Sequence, residues 1–161
     1  MTNLGTARAI AILVPSGLLA GALGSQYLGG LHPCEMCHWQ RWGHYAALGL
    51  ALLSFAFANS AKARLFVWLA AAGILSSGLI GFYHAGVELK IFEGFTQCTT
   101  RGATGSNADI LADIMATPLI RCDDVQWSFL GISMAGWNAI LSTLAALVIA
   151  GLLVKREKAT G

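Results

Sequence analysis

Four apolar stretches, each close to the roughly 20 residues that an α-helix needs to cross the hydrocarbon core of a bilayer, set the main constraint on this chain. They run from about Ala9 to Leu28, Trp39 to Ala58, Leu65 to Ala85 and Ser133 to Val154. Only 11% of the 161 residues are charged, which leaves too few polar side chains to coat a soluble bundle of buried helices. The pattern predicts an all-α membrane protein, one domain over residues 1–161, built as a bundle of four transmembrane helices.

Basic residues gather on one side of the predicted bundle: Arg8, Lys62, Arg64, Lys155, Arg156 and Lys158. The positive-inside rule makes this side cytoplasmic and places both chain ends there. The other side carries a short loop, about residues 29–38, and a long acidic loop, about residues 86–132. Arg8 and the apolar run behind it could also form a signal peptide, although the length of the run favours a retained helix. A net charge of +2 without a basic cluster gives no reason to expect nucleic acid as a partner.

The long loop contains one helical pattern, from Asn107 to Pro118. Asn107 can cap the helix and Pro118 follows its end. One face is apolar and consists of Ile110, Leu111, Ile114 and Met115. We expect a short helix there, whose apolar face lies either in the membrane–water interface or against the protein itself.

All four cysteines lie on the predicted outer side, with Cys34 and Cys37 in the short loop and Cys98 and Cys122 in the long one. Two structural disulfides would persist in a bacterial periplasm, which is oxidising. A disulfide between Cys34 and Cys37 would close almost no loop and so remove little chain entropy. The Cys-x-x-Cys pair therefore favours redox chemistry, with a non-catalytic protein held by structural disulfides as the alternative.

Haem and zinc are two further interpretations of these residues. Cys34-x-x-Cys37-His38 matches the pattern that attaches a c-type haem, and His44 and His84 could pair on a b-type haem. The predicted register leaves those two histidines several residues apart in depth. Four cysteines also satisfy the ligand count of a zinc site, although their spacing is not typical of one. We expect neither haem nor a bound metal.

One face of the second predicted helix collects reactive side chains. The helix is expected to begin within the Cys-x-x-Cys pair, where the helix dipole favours a thiolate. Cys34, Cys37, Arg41 and His44 then share a face by steps of three and four residues. Arg41 is unfavourable at this depth unless it has a partner or faces a cavity, or unless its side chain reaches up to lipid phosphate.

Taken together, these motifs resemble the DsbB family of bacterial inner-membrane oxidases. The pattern PCxxCxxQR is present from Pro33 to Arg41, GVE at residues 86–88 precedes Cys98, and CDxxxWxFLG runs from Cys122 to Gly131. The proline that is usual before the first long-loop cysteine of the family is absent, since Gly94-Phe95-Thr96-Gln97 stands there.

The resemblance implies a thiol:quinone oxidoreductase that takes electrons from a periplasmic DsbA-like thiol oxidase and gives them to ubiquinone or menaquinone. It implies that Cys98–Cys122 oxidises the partner, with Cys98 forming the mixed disulfide. Cys34–Cys37 would be the second pair, with Cys37 nearest the quinone. Arg41 is similar to the family arginine that contacts the quinone ring, and we include His44 and His84 as further candidate quinone-binding residues.

Overall fold

Four α-helices make up most of the computed structural model, which describes residues 2–57, 60–94 and 121–155. They are α1 (Asn3–Tyr27), α2 (Glu35–Leu53), α3 (Ala61–Glu88) and α4 (Met134–Val154). A 3-10 turn (Ser54–Phe57) continues α2, and an antiparallel hairpin of β1 (Ser128–Phe129) and β2 (Ile132–Ser133) leads into α4. The predicted helical bundle is confirmed, while the short helix expected near residues 107–118 lies outside the described residues.

Each helix begins at a side chain that accepts a backbone N–H from its first turn. The capping residues are Thr2, Cys34, Ser60 and Ser133. Such caps satisfy donors that have no partner within the helix. Since Cys34 is the cap of α2, the prediction that this helix begins within the Cys-x-x-Cys pair is confirmed.

Three of the helices, α1, α3 and α4, are long and apolar enough to cross a membrane. Among the described residues α2 does not reach that standard, because its 19 residues include His38, Gln40, Arg41 and His44. Within the second predicted span, Trp39 to Ala58, the α-helix ends at Leu53 and a 3-10 turn continues it to Phe57. The fourth span stays a prediction, and three of these polar residues, Gln40, Arg41 and His44, belong to the candidate site.

Close helix contacts depend on glycine at two crossings. A Cβ on Gly43 would lie 2.9 Å from the Gly73 carbonyl oxygen, so α2 and α3 nearly touch through their backbones. A Cβ on Gly81 would lie 3.0 Å from the Ala135 carbonyl oxygen, which brings α3 equally close to α4. Gly78 also packs closely, since a Cβ there would lie 3.0 Å from Ser142 Cβ, whereas a Cβ on Gly17, Gly21 or Gly49 would meet nothing within 4 Å.

The end of the bundle away from the cysteines is tied together by basic residues. Arg8 is buried, donates to Ser54 Oγ at 3.1 Å and lies 4.8 Å from the centre of the Phe55 ring. Arg64 donates to the Leu153 carbonyl, one residue before α4 ends. Arg8, Lys62, Arg64 and Lys155 therefore share one end as predicted, whereas Arg156 and Lys158 lie outside the described residues.

Candidate functional site

The Cys34 and Cys37 thiols face each other across the first turn of α2. Their sulfurs are 2.9 Å apart, and Cys34 Sγ accepts the backbone N–H of Cys37 at 3.4 Å. A disulfide measures about 2.05 Å, so the pair can close with little movement. Cys34 is buried at 5% exposure and Cys37 is half-buried. The pair therefore combines disulfide geometry with a helix N-terminus that favours a thiolate.

Cys122 lies beside this pair, although it is 85 residues or more away along the chain. The sulfurs of Cys34 and Cys122 and Nε2 of His84 all lie within 4.8 Å of one another, and all three residues are buried. Hydrogen bonds with the thiols of Cys122 and Cys37, together with burial, raise the pKa of the Cys34 thiol. In the reduced pair Cys34 thus retains its proton, and the helix N-terminus favours negative charge on Cys37.

The segment around Cys122 is attached to the end of α3 by charged groups. Lys90 donates to the carbonyl of Asp123 at 2.8 Å and also to its carboxylate, which Arg121 contacts as well. These hydrogen bonds, that of Arg121 first, hold the pKa of Asp123 well below its usual range. Asp123 therefore stays charged through the neutral pH range and keeps Cys122 near α3. Cys98, the predicted partner of Cys122, lies outside the described residues.

Gln40 fixes the proton position on His84. Gln40 Nε2 donates to the Met36 carbonyl at 3.2 Å and lies 2.9 Å from His84 Nδ1. Because a carbonyl can only accept, this atom is the amide nitrogen, so His84 Nδ1 accepts and Nε2 carries the proton. Nε2 lies 3.6 Å from Cys34 Sγ and 3.8 Å from a carboxylate oxygen of Glu88. His84 thus presents an N–H group to the sulfur of Cys34.

Arg41 is held inside the bundle by α1. Its guanidinium donates to Oε1 of Gln26 and, at 3.0 Å, to the carbonyl of Ala22, and the residue is 8% exposed. Its Nε is buried and has no hydrogen-bond partner among the described residues. An arginine at this depth was expected to have a partner or to face a cavity, and Arg41 has both. Its side chain therefore does not extend to lipid phosphate, which was the alternative.

His44 lies deeper in the bundle than His84. Its Nε2 is 2.8 Å from Asn138 Oδ1 and 2.9 Å from Ser77 Oγ, whereas its Nδ1 is buried without a partner among the described residues. Ser77 and His84 are both on α3, about 10 Å apart at 1.5 Å per residue. The two histidines are therefore separated in depth as predicted, a poor arrangement for two ligands of one haem iron.

A cavity of about 110 Å³ opens between these side chains. Apolar residues of α1 and α4 form much of its wall, among them Leu18, Leu19 and Met134. Every predicted site residue on the described part of α2 and α3 lines it: Cys34, Cys37, Arg41, His44 and His84. A mostly apolar cavity with a few converging polar groups is typical of a small-molecule site.

Sequence reasoning did not propose three further polar residues of the site: Gln40, Ser77 and Asn138. Asn138 donates to Gln40 Oε1 at 2.8 Å and to the Ser77 carbonyl at 3.1 Å. The available signal was their polarity, since each lies within a stretch predicted to span the membrane, where polar residues are unfavourable without a function.

Three of the grouped side chains, Cys34, His84 and Cys122, could also hold a metal ion. The set differs from the four-cysteine zinc site considered above, because a histidine takes part and Cys98 is outside the described residues. Thiolate and imidazole ligands at this separation suit zinc or copper(I). The same closeness is what exchange between cysteine pairs requires.

Comparison with known proteins gives one consistent result. The family model "Disulfide bond formation protein DsbB" matches residues 5–152. Proteins named "Disulfide bond formation protein B" are similar, with 29% identity in Marinobacter nauticus over 90% of this chain and 88% of the relative. The relative from Aromatoleum aromaticum is 33% identical over 90% of this chain and 89% of its own. The relative from Verminephrobacter eiseniae is 33% identical over 86% of this chain and 79% of its own length. No solved structure gives a significant match.

Proposed function

The chain belongs to the DsbB family of disulfide bond formation proteins, and from this premise we propose that it reoxidises a periplasmic DsbA-like dithiol oxidase and passes the electrons to a membrane quinone. The activity would be that of a thiol:quinone oxidoreductase acting through two cysteine pairs. The observation that supports it most is the place of Cys34, which has Cys37 on one side, Cys122 on the other, and a cavity beside it.

The first half of the reaction joins the partner to the two cysteine pairs. The dithiol of the partner reduces Cys98–Cys122 through a mixed disulfide at Cys98, and the partner leaves with the disulfide. The Cys122 thiolate then attacks Cys34 in the Cys34–Cys37 disulfide, and Cys37 leaves as a thiolate stabilised by the N-terminus of α2. The Cys98 thiolate next attacks Cys122, which re-forms Cys98–Cys122 and releases Cys34.

Two side chains assist these steps. His84 Nε2–H, 3.6 Å from the sulfur, can donate to Cys34 as negative charge develops there. Asp123, hydrogen-bonded to Lys90, keeps Cys122 next to Cys34. The net result is a reduced Cys34–Cys37 pair and a partner disulfide, so two electrons have moved toward the membrane.

The cavity fits a quinone on two observations. It is mostly apolar, and two of the residues that line it, Arg41 and His44, each have a buried polar atom without a partner among the described residues, Nε and Nδ1 respectively. When bound, a quinone would act as an oxidant that accepts two electrons and two protons. Arg41 would bind and orient the ring through its oxygen, and its fixed positive charge would stabilise the charge that develops on reduction. Cys37 also lines the cavity and would face the ring.

Three apolar helices indicate a membrane protein, and we place it in the bacterial inner membrane. The end with Arg8, Arg64 and Lys155 would face the cytoplasm by the positive-inside rule. The cysteine end would then face the periplasm, where a soluble thiol oxidase can reach it. Both chain termini would be cytoplasmic, and the choice between ubiquinone and menaquinone is left to experiment.

The decisive experiment mixes the purified protein, a reduced periplasmic thiol oxidase and a soluble short-chain quinone. Quinone reduction is followed by absorbance and partner thiols are counted in parallel. We expect one quinone reduced for each pair of thiols lost, and no quinone reduction with Cys37→Ser. If the wild-type protein is folded but neither reaction proceeds, the protein has structural disulfides only and the proposed function is wrong.

A further inference from the structure

The orientation of the Asn138 side chain is fixed by a backbone carbonyl. Asn138 Nδ2 lies 3.1 Å from the Ser77 carbonyl oxygen and 2.8 Å from Gln40 Oε1. Since a carbonyl oxygen only accepts, the atom that faces it is the amide nitrogen. The other amide atom, Oδ1, therefore faces His44 at 2.8 Å, and it also accepts the hydroxyl of Ser142 at 2.9 Å.

This orientation determines the tautomer of His44. Asn138 Oδ1 cannot donate, so His44 Nε2 must carry a proton to form the 2.8 Å hydrogen bond. Ser77 Oγ, at 2.9 Å from the same nitrogen, is placed to use its own proton on the Gln40 carbonyl, also at 2.9 Å. A neutral imidazole has one N–H, so Nδ1 of His44 is a bare acceptor.

The bare nitrogen is well placed to bind a ligand. His44 is 3% exposed and lines the cavity, and its Nδ1 has no partner within the described part of the chain. A buried acceptor without a donor is unfavourable. The other buried polar atom without a partner among the described residues is Arg41 Nε, which is a hydrogen-bond donor. Arg41 and His44 both line the cavity and lie one helical turn apart, so a ligand bound there could reach one donor and one acceptor.

We propose that His44 accepts a hydrogen bond from the hydroxyl of a quinol, so that this cavity binds the reduced quinone more tightly than the oxidised form. The inference rests on the proposed function and deepens it. Arg41 can donate to an oxygen of either form, but only the quinol has an O–H group for His44. Asn138 and Ser77 act as positioning residues, because they keep the Nδ1 atom bare.

The preference has a defined effect on the reaction. Oxidation of the Cys34–Cys37 dithiol to a disulfide releases two electrons and two protons, and these convert quinone to quinol. A site that binds quinol more tightly shifts the equilibrium of the bound pair toward quinol by the ratio of the two dissociation constants. His44 therefore favours electron flow out of the cysteines, at the expense of slower quinol release.

The tautomer is tested first, without any ligand, by nitrogen NMR of histidine-labelled protein in lipid nanodiscs. His44→Gln assigns the His44 signals by their loss. We expect a protonated Nε2 and a bare Nδ1 in the wild type, and a mixture of tautomers in Asn138→Leu. A protonated Nδ1 in the wild type overturns the inference.

The binding preference is tested in a Cys37→Ser background, which prevents turnover. Dissociation constants are measured separately for a short-chain quinone and its quinol. We expect the quinol to bind about tenfold more tightly, which corresponds to the free energy of roughly one hydrogen bond. His44→Phe should bring the ratio near one and Asn138→Leu should lower it, while quinone binding is retained. Either variant suffices if the other fails to fold.

Two neighbouring serines supply a matched control. Ser77→Ala removes a group beside His44 Nε2 and should lower the ratio, whereas Ser76 is exposed, donates to the Gly73 carbonyl, and should leave the ratio unchanged when replaced by Ala. If Nδ1 is unprotonated but quinone and quinol bind with equal affinity, the quinol preference is wrong while the proposed quinone function still stands. If neither form binds the wild-type site, the proposed quinone function fails, and the quinol preference fails with it.

Discussion

At the scale of single residues, Arg41 best shows how the site combines charge with burial. A guanidinium keeps its charge under all accessible conditions, so its burial must be compensated by contacts. Two of its nitrogens donate hydrogen bonds to Gln26 and Ala22 of α1, and the third, Nε, is buried without a partner among the described residues. This division fixes the side chain while one donor stays available.

Arg41→Met removes that donor and the charge but keeps an apolar stem. A hydrogen bond to a charged group contributes about 1.5–3 kcal/mol, so kcat/KM for quinone should fall by about tenfold to a hundredfold. Steady-state titration of quinone measures the effect. Transfer of the first disulfide to reduced partner in the absence of quinone should remain normal. Lys62→Met, which removes a cation near the Phe57 ring at the opposite end, is the control; equal kinetics for both variants would remove Arg41 from the site.

His84 and His38 form a second matched pair. His38 is exposed, whereas His84 is buried with its N–H toward Cys34. In the proposed mechanism the oxidised protein carries two disulfides, and delivery of the second one requires exchange at Cys34. His84→Ala should slow the second delivery by about tenfold, the effect of one charge-assisted hydrogen bond on the exchange rate, and leave the first unchanged. His38→Ala should change neither, and the purified protein should show no Soret band. Slowing by His38→Ala alone would support the haem interpretation.

Residue spacing was sufficient to bring Cys34, Cys37, Arg41 and His44 to one face, because they belong to one helix of known period. It could not show that Asn138 meets His44. That contact depends on the depths at which α4 packs against α3 and α3 packs against α2, which are set by side chains on several helices. Polar residues inside apolar stretches are therefore the positions to examine first in a chain of this kind.

At the scale of elements, α2 carries most of the polar groups and depends on α3 for its position. The two helices cross at Gly43 and Gly73, where each glycine lies near the carbonyl of the other. The crossing lies between Arg41 and His44 along α2. Any change in helix separation there moves both residues relative to the cavity.

Gly43→Ala should therefore disturb both stability and the site. The added methyl group would lie 2.9 Å from the Gly73 carbonyl oxygen and 3.0 Å from Ser77 Cβ, so the helices must separate. Overpacking of this kind typically costs about 1–3 kcal/mol. Thermal unfolding in detergent should show a lower midpoint, and KM for quinone should rise. Gly49→Ala, in open space on the same helix, should be neutral or slightly stabilising; an equal loss in both variants would argue against the crossing.

Element boundaries were predicted less well than element identity. Hydropathy located the four helices and matched both ends of α4, but it placed the starts of α1 and α3 too late, because the capping residues Thr2 and Ser60 decide where those helices begin. It also extended α2 through Ser54, which instead accepts Arg8 in a 3-10 turn. The hairpin before α4 was not predicted, since strands of two residues leave no periodic signal.

At the scale of the whole molecule, the bundle has two chemically different ends. Arg8, Arg64 and the start of the basic tail at Lys155 lie at one end, and Cys34, Cys37 and Cys122 lie at the other. The charge pattern of the loops was enough to predict this polarity, because it follows from chain order and four crossings alone. In the proposed reaction, electrons from a soluble partner would enter at the cysteine end.

The direction of that flow can be tested by interrupting it at Cys122. In Cys122→Ser, Cys98 has lost the sulfur that would resolve a mixed disulfide with the partner. With oxidised partner in excess, attack of the Cys98 thiolate on the disulfide of the partner should accumulate a covalent one-to-one complex, visible on a non-reducing gel and mapped by peptide mass spectrometry to Cys98. Cys34→Ser retains Cys98 and Cys122, which can still expel the partner, so little complex should remain. Adducts located mainly at Cys34 or Cys37 would mean that the partner enters at the membrane pair and that the proposed order of the two pairs is reversed.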